Sequence, residues 1–388
     1  MSNTKAYITN IQAYLPGEPV PNDQMESVLG QVGDKPSRAR RIILKSNGIK
    51  SRYYAIDPAT GEYTHTNAQL AAEAVRKLEN EHFALADLTC LAAGSSYPDQ
   101  AMPGHGVMVH GELDAPPCEV ASAAGVCVSG MSAMKYAYLS VIAGEHPQAV
   151  AVGSDMPSAV MQAKNFEGEL NEDIDALERQ PELAFEKDFL RWMLSDGAGA
   201  VLIENQPRPN TINFKIDWID VYSYANEMEA CMYAGAEKKD GELISWARYD
   251  NQQRAKRSVM SVKQDVKLLN ENVIHYTVEK PLAASVKKRQ LSASDYSYFV
   301  PHYSSQYFRD RVYAGLEKID FVIPKEQWFT NLPQKGNTGA ASIYIMLEEL
   351  RRTQPLEQGQ KILCYIPESG RFSSCFMQLT VITDASDE

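Results

Sequence analysis

The 388-residue sequence predicts an α/β fold, and three observations support that prediction. Short apolar runs bounded by turn residues alternate with segments of helical periodicity along the chain. Two of these runs, Ala149–Gly153 and Ala198–Ile203, are almost continuously apolar, as in strands buried on both faces of a sheet. Each half of the chain also has a long helix rich in small residues, at Val128–Ile142 and Thr338–Leu350, which indicates a duplicated α/β unit.

The first half of the chain leads through alternating strands and helices to the first small-residue helix. The elements expected before it are a strand at Ala6–Ile11, a helix at Thr66–Leu78, a strand at Leu88–Ala93 and a helix at Gly104–Leu113. Residues 164–186 are polar and acidic and interrupt the pattern, so we interpret residues 160–190 as an inserted acidic cap. We end this half at residue 205, and residues 206–388 form the second predicted half.

The second half begins with a strand whose residues alternate between apolar and polar. The elements expected in order are a strand at Thr211–Val221, a basic helix at Gln252–Leu269, a strand ending at Tyr298–Pro301, a helix at Ser304–Leu316, a strand near Trp328, a helix at Thr338–Arg351, and strands at Lys361–Ile366 and Phe376–Ile382.

Composition and charge exclude several classes of protein. A formal net charge of −12 argues against nucleic-acid binding, which needs clustered Lys and Arg. The six cysteines lack CxxC spacing, so neither a disulfide framework nor a structural metal site is expected. We found no signal peptide and no apolar run long enough to cross a membrane, so we expect a cytoplasmic protein with reduced thiols.

Three residues are candidates for chemistry. Cys127 stands at the start of the first small-residue helix, where backbone amides and the helix dipole favour a thiolate and can stabilise an oxyanion. His302 follows an apolar strand, and Asn337 directly precedes the second small-residue helix. Each residue alone can have a purely structural role, as an inert buried thiol, a polar strand cap or a helix N-cap. Together they form a Cys/His/Asn set at strand ends and helix starts.

This set and the segments around it resemble the ketosynthase III (beta-ketoacyl-ACP synthase III) branch of the thiolase-fold condensing enzymes. The resemblance covers nearly the whole chain. It rests on YLPGEPVPN near the start, SNGIKSRYY at 46–54, SSYPDQAMPG at 95–104, ASAAGVCVSGM around Cys127, VGSDM at 152–156, SDGAGAVLI at 195–203, VPH at 300–302 and GNTGAAS at 336–342.

The resemblance implies thiolase-like duplicated halves that form a layered αβαβα sandwich. It also implies that Cys127, His302 and Asn337 are the catalytic residues, with an oxyanion hole formed by the amides of Cys127 and Gly370. Family members need no cofactor or metal, because their acyl groups arrive on CoA or on the phosphopantetheine of an acyl carrier protein. They are homodimers, and Met102 matches the residue that reaches the partner's acyl pocket.

Departures from the family pattern are also informative. The chain reads Tyr303-Ser304-Ser305 where the fatty-acid enzyme usually has Gln-Ala-Asn, and Arg41–Lys45 lacks the tryptophan that stacks on adenine. The last turn holds Glu368 and Arg371, which can manage a further proton transfer or can be a surface ion pair. These features most resemble the bacterial ketosynthases of dialkylresorcinol and stilbene biosynthesis. Those relatives join a β-ketoacyl thioester to an α,β-unsaturated thioester and close a cyclohexanedione.

Alternatives remain open from the sequence alone. A plain ketosynthase III using malonyl-carrier protein, or an acyltransferase of the same fold, would use the same three residues. A non-catalytic partner subunit typically loses them, and a dinucleotide-binding protein would need a GxGxxG motif that the sequence lacks. Basic clusters can receive the phosphate and an acyl carrier protein, or can be solvated helix faces. They are Ser37–Arg41, a set of Arg254, Lys256, Arg257, Lys263 and Lys267, and the pair Arg309 and Arg311.

Overall fold

The computed structural model describes residues 4–32, 40–165, 189–257 and 259–383. Its strands are β1 (Tyr7–Tyr14), β2 (Val20–Pro21), β3 (Ser51–Arg52), β4 (Cys90–Ser95), β5 (Glu119–Ala124), β6 (Gln148–Asp155), β7 (Gly197–Glu204), β8 (Asn213–Ser223), β9 (Met232–Tyr233), β10 (Ala236–Lys239), β11 (Glu242–Ser245), β12 (Lys263–Gln264), β13 (Tyr296–Pro301), β14 (Lys361–Glu368) and β15 (Ser373–Ile382).

The α-helices are α1 (Met25–Leu29), α2 (Arg40–Asn47), α3 (Asn67–Arg76), α4 (His105–Glu112), α5 (Val128–Ala143), α6 (Ser158–Met161), α7 (Asn251–Lys256), α8 (Val266–Ile274), α9 (Lys280–Arg289), α10 (Arg309–Lys318), α11 (Leu332–Lys335) and α12 (Ser342–Thr353). A π-helical turn at His275–Glu279 joins α8 to α9. Across the four described ranges, no helix combines the length and apolarity needed to cross a membrane.

One nine-stranded sheet organises the molecule, in the order β13-β14-β15-β8-β1-β7-β6-β4-β5. The predicted α/β fold is confirmed. The set β4-β6-β7-β1 has one parallel pair followed by two antiparallel pairs, and β13-β14-β15-β8 has the same pattern. The two sets meet where β1 pairs with β8. The boundary at residue 205 lies between β7 and β8, and the division into two domains stays a prediction.

Both faces of the sheet are covered, which explains the continuous apolar runs. Along β4, Ala92 packs in a cluster that contains residues of α5 and α12, whereas its neighbour Leu91 packs in a cluster with residues of α3 and α4. Side chains of successive strand residues point to opposite faces, so each of these residues must be apolar.

The small residues of α5 let it approach the segment before α12 at backbone distance. A methyl group added at Gly130 would collide with the carbonyl oxygen of Ala340, and so would one at Gly153. The hydroxyl of Tyr344 donates to the Gly130 carbonyl at 2.7 Å. This close packing places the start of α5, with Cys127, beside the segment that contains Asn337.

Some predicted elements were wrong. The helix expected at Gln252–Leu269 is two short elements and the start of a third, because Gln264 pairs with Met232 across β12 and β9 and the Asp265 side chain caps α8 at Leu268 N. The strand expected near Trp328 is a single parallel bridge to Phe299. Most of the predicted cap, residues 166–188, lies outside the described residues.

Candidate active site

A single cavity of about 1050 Å³ brings the three candidate residues together. Cys127, His302 and Asn337 all line it, although they come from different parts of the chain. Gly370, predicted for the oxyanion hole, and the predicted auxiliary residues Glu368 and Arg371 line the same cavity. Met102 does not line the cavity of its own chain and is 84% exposed beside it.

Cys127 occupies the N-cap position of α5. Its side chain is half-buried and lines the cavity. Burial raises the pKa of the Cys127 thiol, and the nearby carboxylates of Glu368 and Asp155 raise it further. The helix dipole contributes only about 0.3–1 kcal/mol at such a position. Burial and these two carboxylates therefore oppose the thiolate that the helix start favours, and they favour the protonated thiol before the reaction.

The Glu368 side chain contacts the backbone at the start of α5, on both sides of Cys127. Its Oε2 accepts hydrogen bonds from the amides of Val126 at 2.9 Å and Val128 at 3.1 Å. Gly125 and Gly370 make room for it, because a methyl group on either would lie 3.2–3.3 Å from a Glu368 oxygen. Burial raises the pKa of the Glu368 carboxyl, and the two amide hydrogen bonds oppose that rise.

Arg371 does not complete a surface ion pair with Glu368. Its side chain is exposed, and its Nε donates to the carbonyl of Met228 at 2.7 Å. The Gly370 carbonyl accepts from the amides of Cys231 and Met232 at 2.9 and 3.3 Å, which fixes the turn. The oxyanion role of the Cys127 and Gly370 amides stays a prediction.

His302 directly follows β13 and is only 4% exposed. Its amide donates to the carbonyl of Tyr365 on the adjacent strand β14 at 2.8 Å. Burial lowers the pKa of the His302 imidazole to about 4, so the ring is neutral near pH 7. A neutral imidazole has one N–H donor and one acceptor nitrogen, which suits hydrogen bonding to a carbonyl oxygen.

Backbone hydrogen bonds hold Asn337 in place. Its amide donates to the Met193 carbonyl at 3.1 Å, and its carbonyl accepts from the Ser195 amide at 2.9 Å. The side-chain Oδ1 accepts from the Gly339 amide at 3.0 Å, so the Nδ2 group is the end of the side chain available as a donor.

Asp155 was not among the candidate residues, although it belongs to the VGSDM segment. It ends β6, lines the cavity and is 4% exposed. Its carboxylate accepts from the Ser96 amide at 2.7 Å, the Ser96 hydroxyl at 2.6 Å and the Ala340 amide at 2.7 Å. Asp155 therefore ties the end of β4 to the segment that follows Asn337. A carboxylate at the end of a buried strand was the signal that could have identified it.

The predicted basic clusters make internal contacts. Arg257 forms an ion pair with Glu237 at 2.9 Å, and the guanidinium of Arg254 lies 4.8 Å from the ring centre of Trp246. The Lys263 ammonium donates to the Arg257 carbonyl at 3.2 Å. Residues 37–39 of the first cluster lie outside the described residues. Docking of a phosphate or a carrier protein at these clusters stays a prediction.

Comparisons with known proteins agree with this fold. Residues 286–366 match the family described as 3-oxoacyl-[acyl-carrier-protein (ACP)] synthase III C terminal. The chain is 22% identical over 366 residues to the beta-ketoacyl-[acyl-carrier-protein] synthase III of Clostridium beijerinckii, covering 94% of this chain and 95% of the relative. The corresponding protein of Chlorobium phaeobacteroides is 24% identical over 361 residues, covering 92% and 94%.

Solved structures share the fold over almost the full length. AbyA1, described as a tetronic acid condensing enzyme, superposes with a TM-score of 0.74 at 17% identity, covering 97% of this chain and 99% of that one. The 3-oxoacyl-(acyl carrier protein) synthase III of Pseudomonas aeruginosa gives 0.68 at 18% identity, covering 97% and 98%. A variant of Xanthomonas campestris OleA gives 0.71 at 18% identity, covering 97% and 96%. Over nearly its whole length this chain is similar to ketosynthase III enzymes of the thiolase fold, and these similarities indicate an enzyme of the carbon–carbon bond-forming acyltransferase type.

Proposed function

We propose that this enzyme joins two acyl thioesters through an acyl-Cys127 intermediate, using His302 and Asn337 to activate the second thioester. In the specific form of the proposal, a β-ketoacyl thioester reacts with an α,β-unsaturated thioester to give a cyclohexanedione, the precursor of a dialkylresorcinol or a stilbene. The observation that supports the proposal most is the convergence of Cys127, His302 and Asn337 on one cavity.

In the first step, Cys127 Sγ attacks the carbonyl carbon of the unsaturated thioester. The new C–S bond to Cys127 forms as the bond to CoA or pantetheine breaks, and the thiol proton leaves with the departing sulfur. The amides of Cys127 and Gly370 stabilise the negative oxygen of the tetrahedral intermediate. Because the resting thiol is protonated, its proton must leave during the attack.

In the second step, the carbonyl oxygen of the β-ketoacyl thioester accepts hydrogen bonds from His302 and from Asn337 Nδ2. A carbon of this substrate loses its proton, and the enolate oxygen is stabilised by the same two donors. Attack on the acyl carbonyl forms one carbon–carbon bond and breaks the bond from the acyl carbon to Cys127 Sγ, and the released thiolate takes up the proton that the first carbon lost. A second carbon of the β-ketoacyl unit then loses its proton and adds to the β-carbon of the unsaturated chain, which closes the ring, and the α-carbon of that chain takes up this second proton.

Glu368 is suited to move the protons that ring closure requires. Its carboxylate is half-buried and bonded to the amides on either side of Cys127, and its pKa lies above the usual value for a glutamate. A carboxylate there can take the proton from the β-ketoacyl carbon and deliver it to the α-carbon of the unsaturated chain. The cavity volume of about 1050 Å³ is at the upper end for small-molecule sites and leaves room for two chains.

A plain ketosynthase III reaction with malonyl-carrier protein is the second candidate, because the curated relatives carry that name. In either reaction we propose that acyl groups arrive on CoA or an acyl carrier protein and that the enzyme is a homodimer. The exposure of Met102 agrees with a position in the partner's acyl pocket.

Intact-mass spectrometry with a panel of thioesters tests the first step. We expect a mass increase equal to one acyl group on the wild type and none on Cys127→Ala, whereas Cys118→Ala serves as the matched control and acylates normally. Product analysis with a β-ketoacyl partner then tests ring formation. Only linear β-ketoacyl products would refute the cyclohexanedione proposal, and full condensation by Cys127→Ala would refute the acyl-cysteine step.

A further inference from the structure

The cavity has an exposed end and a buried end. At the exposed end, Leu243, Trp246 and Met260 line it with 42–51% of their surface exposed. At the other end the lining residues come from α8, from the turn before α10, from α10 itself and from β14, and five of these six side chains are no more than 8% exposed. We call this end the inner arm. It is lined by Leu269, Val273, Ile274, Phe308, Val312 and Tyr365.

The π-helical turn after α8 fixes the shape of the inner arm. Thr277, within that turn, forms a hydrogen bond of 2.8 Å with the hydroxyl of Tyr365 and also bonds to the carbonyl of Val273. The Tyr365 ring lies between Phe299 and Phe376, with ring centres 6.2 and 5.2 Å away. The helix, the strand and the floor of the arm are thus held together by buried contacts.

The inner arm begins next to His302. Pro301 pairs with Tyr365 across β13 and β14, and the His302 amide donates to the Tyr365 carbonyl at 2.8 Å. A substrate whose carbonyl oxygen is bound by the His302 imidazole therefore lies within reach of the inner arm, next to strand β14, which forms the floor of the arm.

The lining chemistry selects an alkyl chain. Five of the six side chains are wholly apolar, and the sixth, Tyr365, has its hydroxyl bonded to Thr277. A pantetheine segment would leave its amides without partners among such residues, at a cost of about 1–3 kcal/mol each, whereas a hydrocarbon chain loses no hydrogen bond. We propose that the inner arm binds the alkyl tail of the β-ketoacyl thioester and sets its maximum length. This inference rests on the proposed use of two acyl thioesters.

Binding measurements on an acylation-deficient protein test the inner arm directly. The Cys127→Ala protein is titrated with 3-oxoacyl pantetheine thioesters of increasing chain length. We expect the affinity to rise about fourfold with each methylene that enters the arm and then to level off. Val312→Phe fills the arm and moves the plateau to shorter chains, whereas Val312→Ala opens it and moves the plateau to longer ones. Val322→Phe, at a residue 36% exposed and outside the cavity lining, serves as the matched control.

Urea unfolding of each variant shows whether it is folded. If Val312→Phe does not fold, Val312→Ala still tests the inference. A plateau that stays in place in the folded Val312 variants would overturn the inference. The Val312 variants could instead change which chain lengths acylate Cys127 and leave 3-oxoacyl binding unchanged. That result would also overturn the inference, because it would assign the inner arm to the cysteine-bound chain. Linear products from the wild type together with a moving plateau would refute ring formation and leave the inner arm in place.

Discussion

Replacement of Glu368 by glutamine is expected to make Cys127 more reactive towards alkylating reagents. The Glu368 carboxylate accepts from the amides on either side of Cys127, so its negative charge lies against the thiol. Coulomb's law gives about 3 kcal/mol for two unit charges about 5 Å apart in a medium with an effective dielectric constant of about 20. A tenfold change in an equilibrium constant corresponds to about 1.4 kcal/mol. Removing even half of that Coulomb energy would therefore raise the thiolate population of Cys127 about tenfold at fixed pH. Glutamine keeps one acceptor oxygen for the amides and removes the charge.

The assay is the pH dependence of iodoacetamide alkylation, followed by intact mass. Cys118 is the other described cysteine that is not buried, so the measurement uses a Cys118→Ser background. Glu242→Gln is the matched control, since Glu242 lines the exposed end of the cavity and is itself exposed. We expect Glu368→Gln to react at least about tenfold faster than this control near neutral pH. Equal rates would show that Glu368 places no negative charge beside the thiol, and the argument from its position would fail.

Further predictions concern pH dependence, packing and positioning. Burial lowers the pKa of His105 to about 4, so the unfolded state takes up the proton at a higher pH than the folded state does. The free energy of unfolding is therefore expected to fall by about 3 kcal/mol as the pH drops from about 6.5 to about 4. Urea unfolding across this range should show a smaller loss for His105→Gln than for the wild type. Gly130→Ala is expected to cost about 1–3 kcal/mol because its methyl group collides with a backbone oxygen, whereas Gly111→Ala, in open space on α4, should be neutral or stabilising in the same denaturation assay. Asp155→Asn should reduce the rate of condensation with Cys127 acylation retained, since Asp155 fixes the segment after Asn337; equal losses in both steps would contradict a positioning role.

The strands of the main sheet could largely be predicted because their signal is local. The run Ala149–Gly153 lies inside β6 and Ala198–Ile203 inside β7, as expected for strands buried on both faces. The predicted helix Val128–Ile142 differs from α5 by one residue. The error at Gln252–Leu269 arose because the pairing of β12 with β9 depends on residues far away in the chain, which the local pattern does not contain.

The candidate site likewise has features that the local sequence predicts and features that depend on contacts between distant residues. Cys127, His302 and Asn337 each stand where a strand ends or a helix begins, so their positions could be inferred from their neighbours. The contact of Glu368 with the amides of Val126 and Val128 joins residues 242 and 240 positions apart, and periodicity does not predict it. The lowered pKa of His302 likewise follows from burial by distant segments.

The π-helical turn at His275–Glu279 has a consequence for insertions and deletions. Such a turn contains one residue more than a regular α-helical turn, and one residue corresponds to a rotation of about 100° around the helix. Deletion of a single residue there would restore regular helical geometry. It would also turn Thr277 away from Tyr365, or α9 away from the sheet. Homologues that differ by one residue at this point are therefore expected to differ in the depth of the inner arm, which makes length variation in this helix a marker of acyl-chain preference.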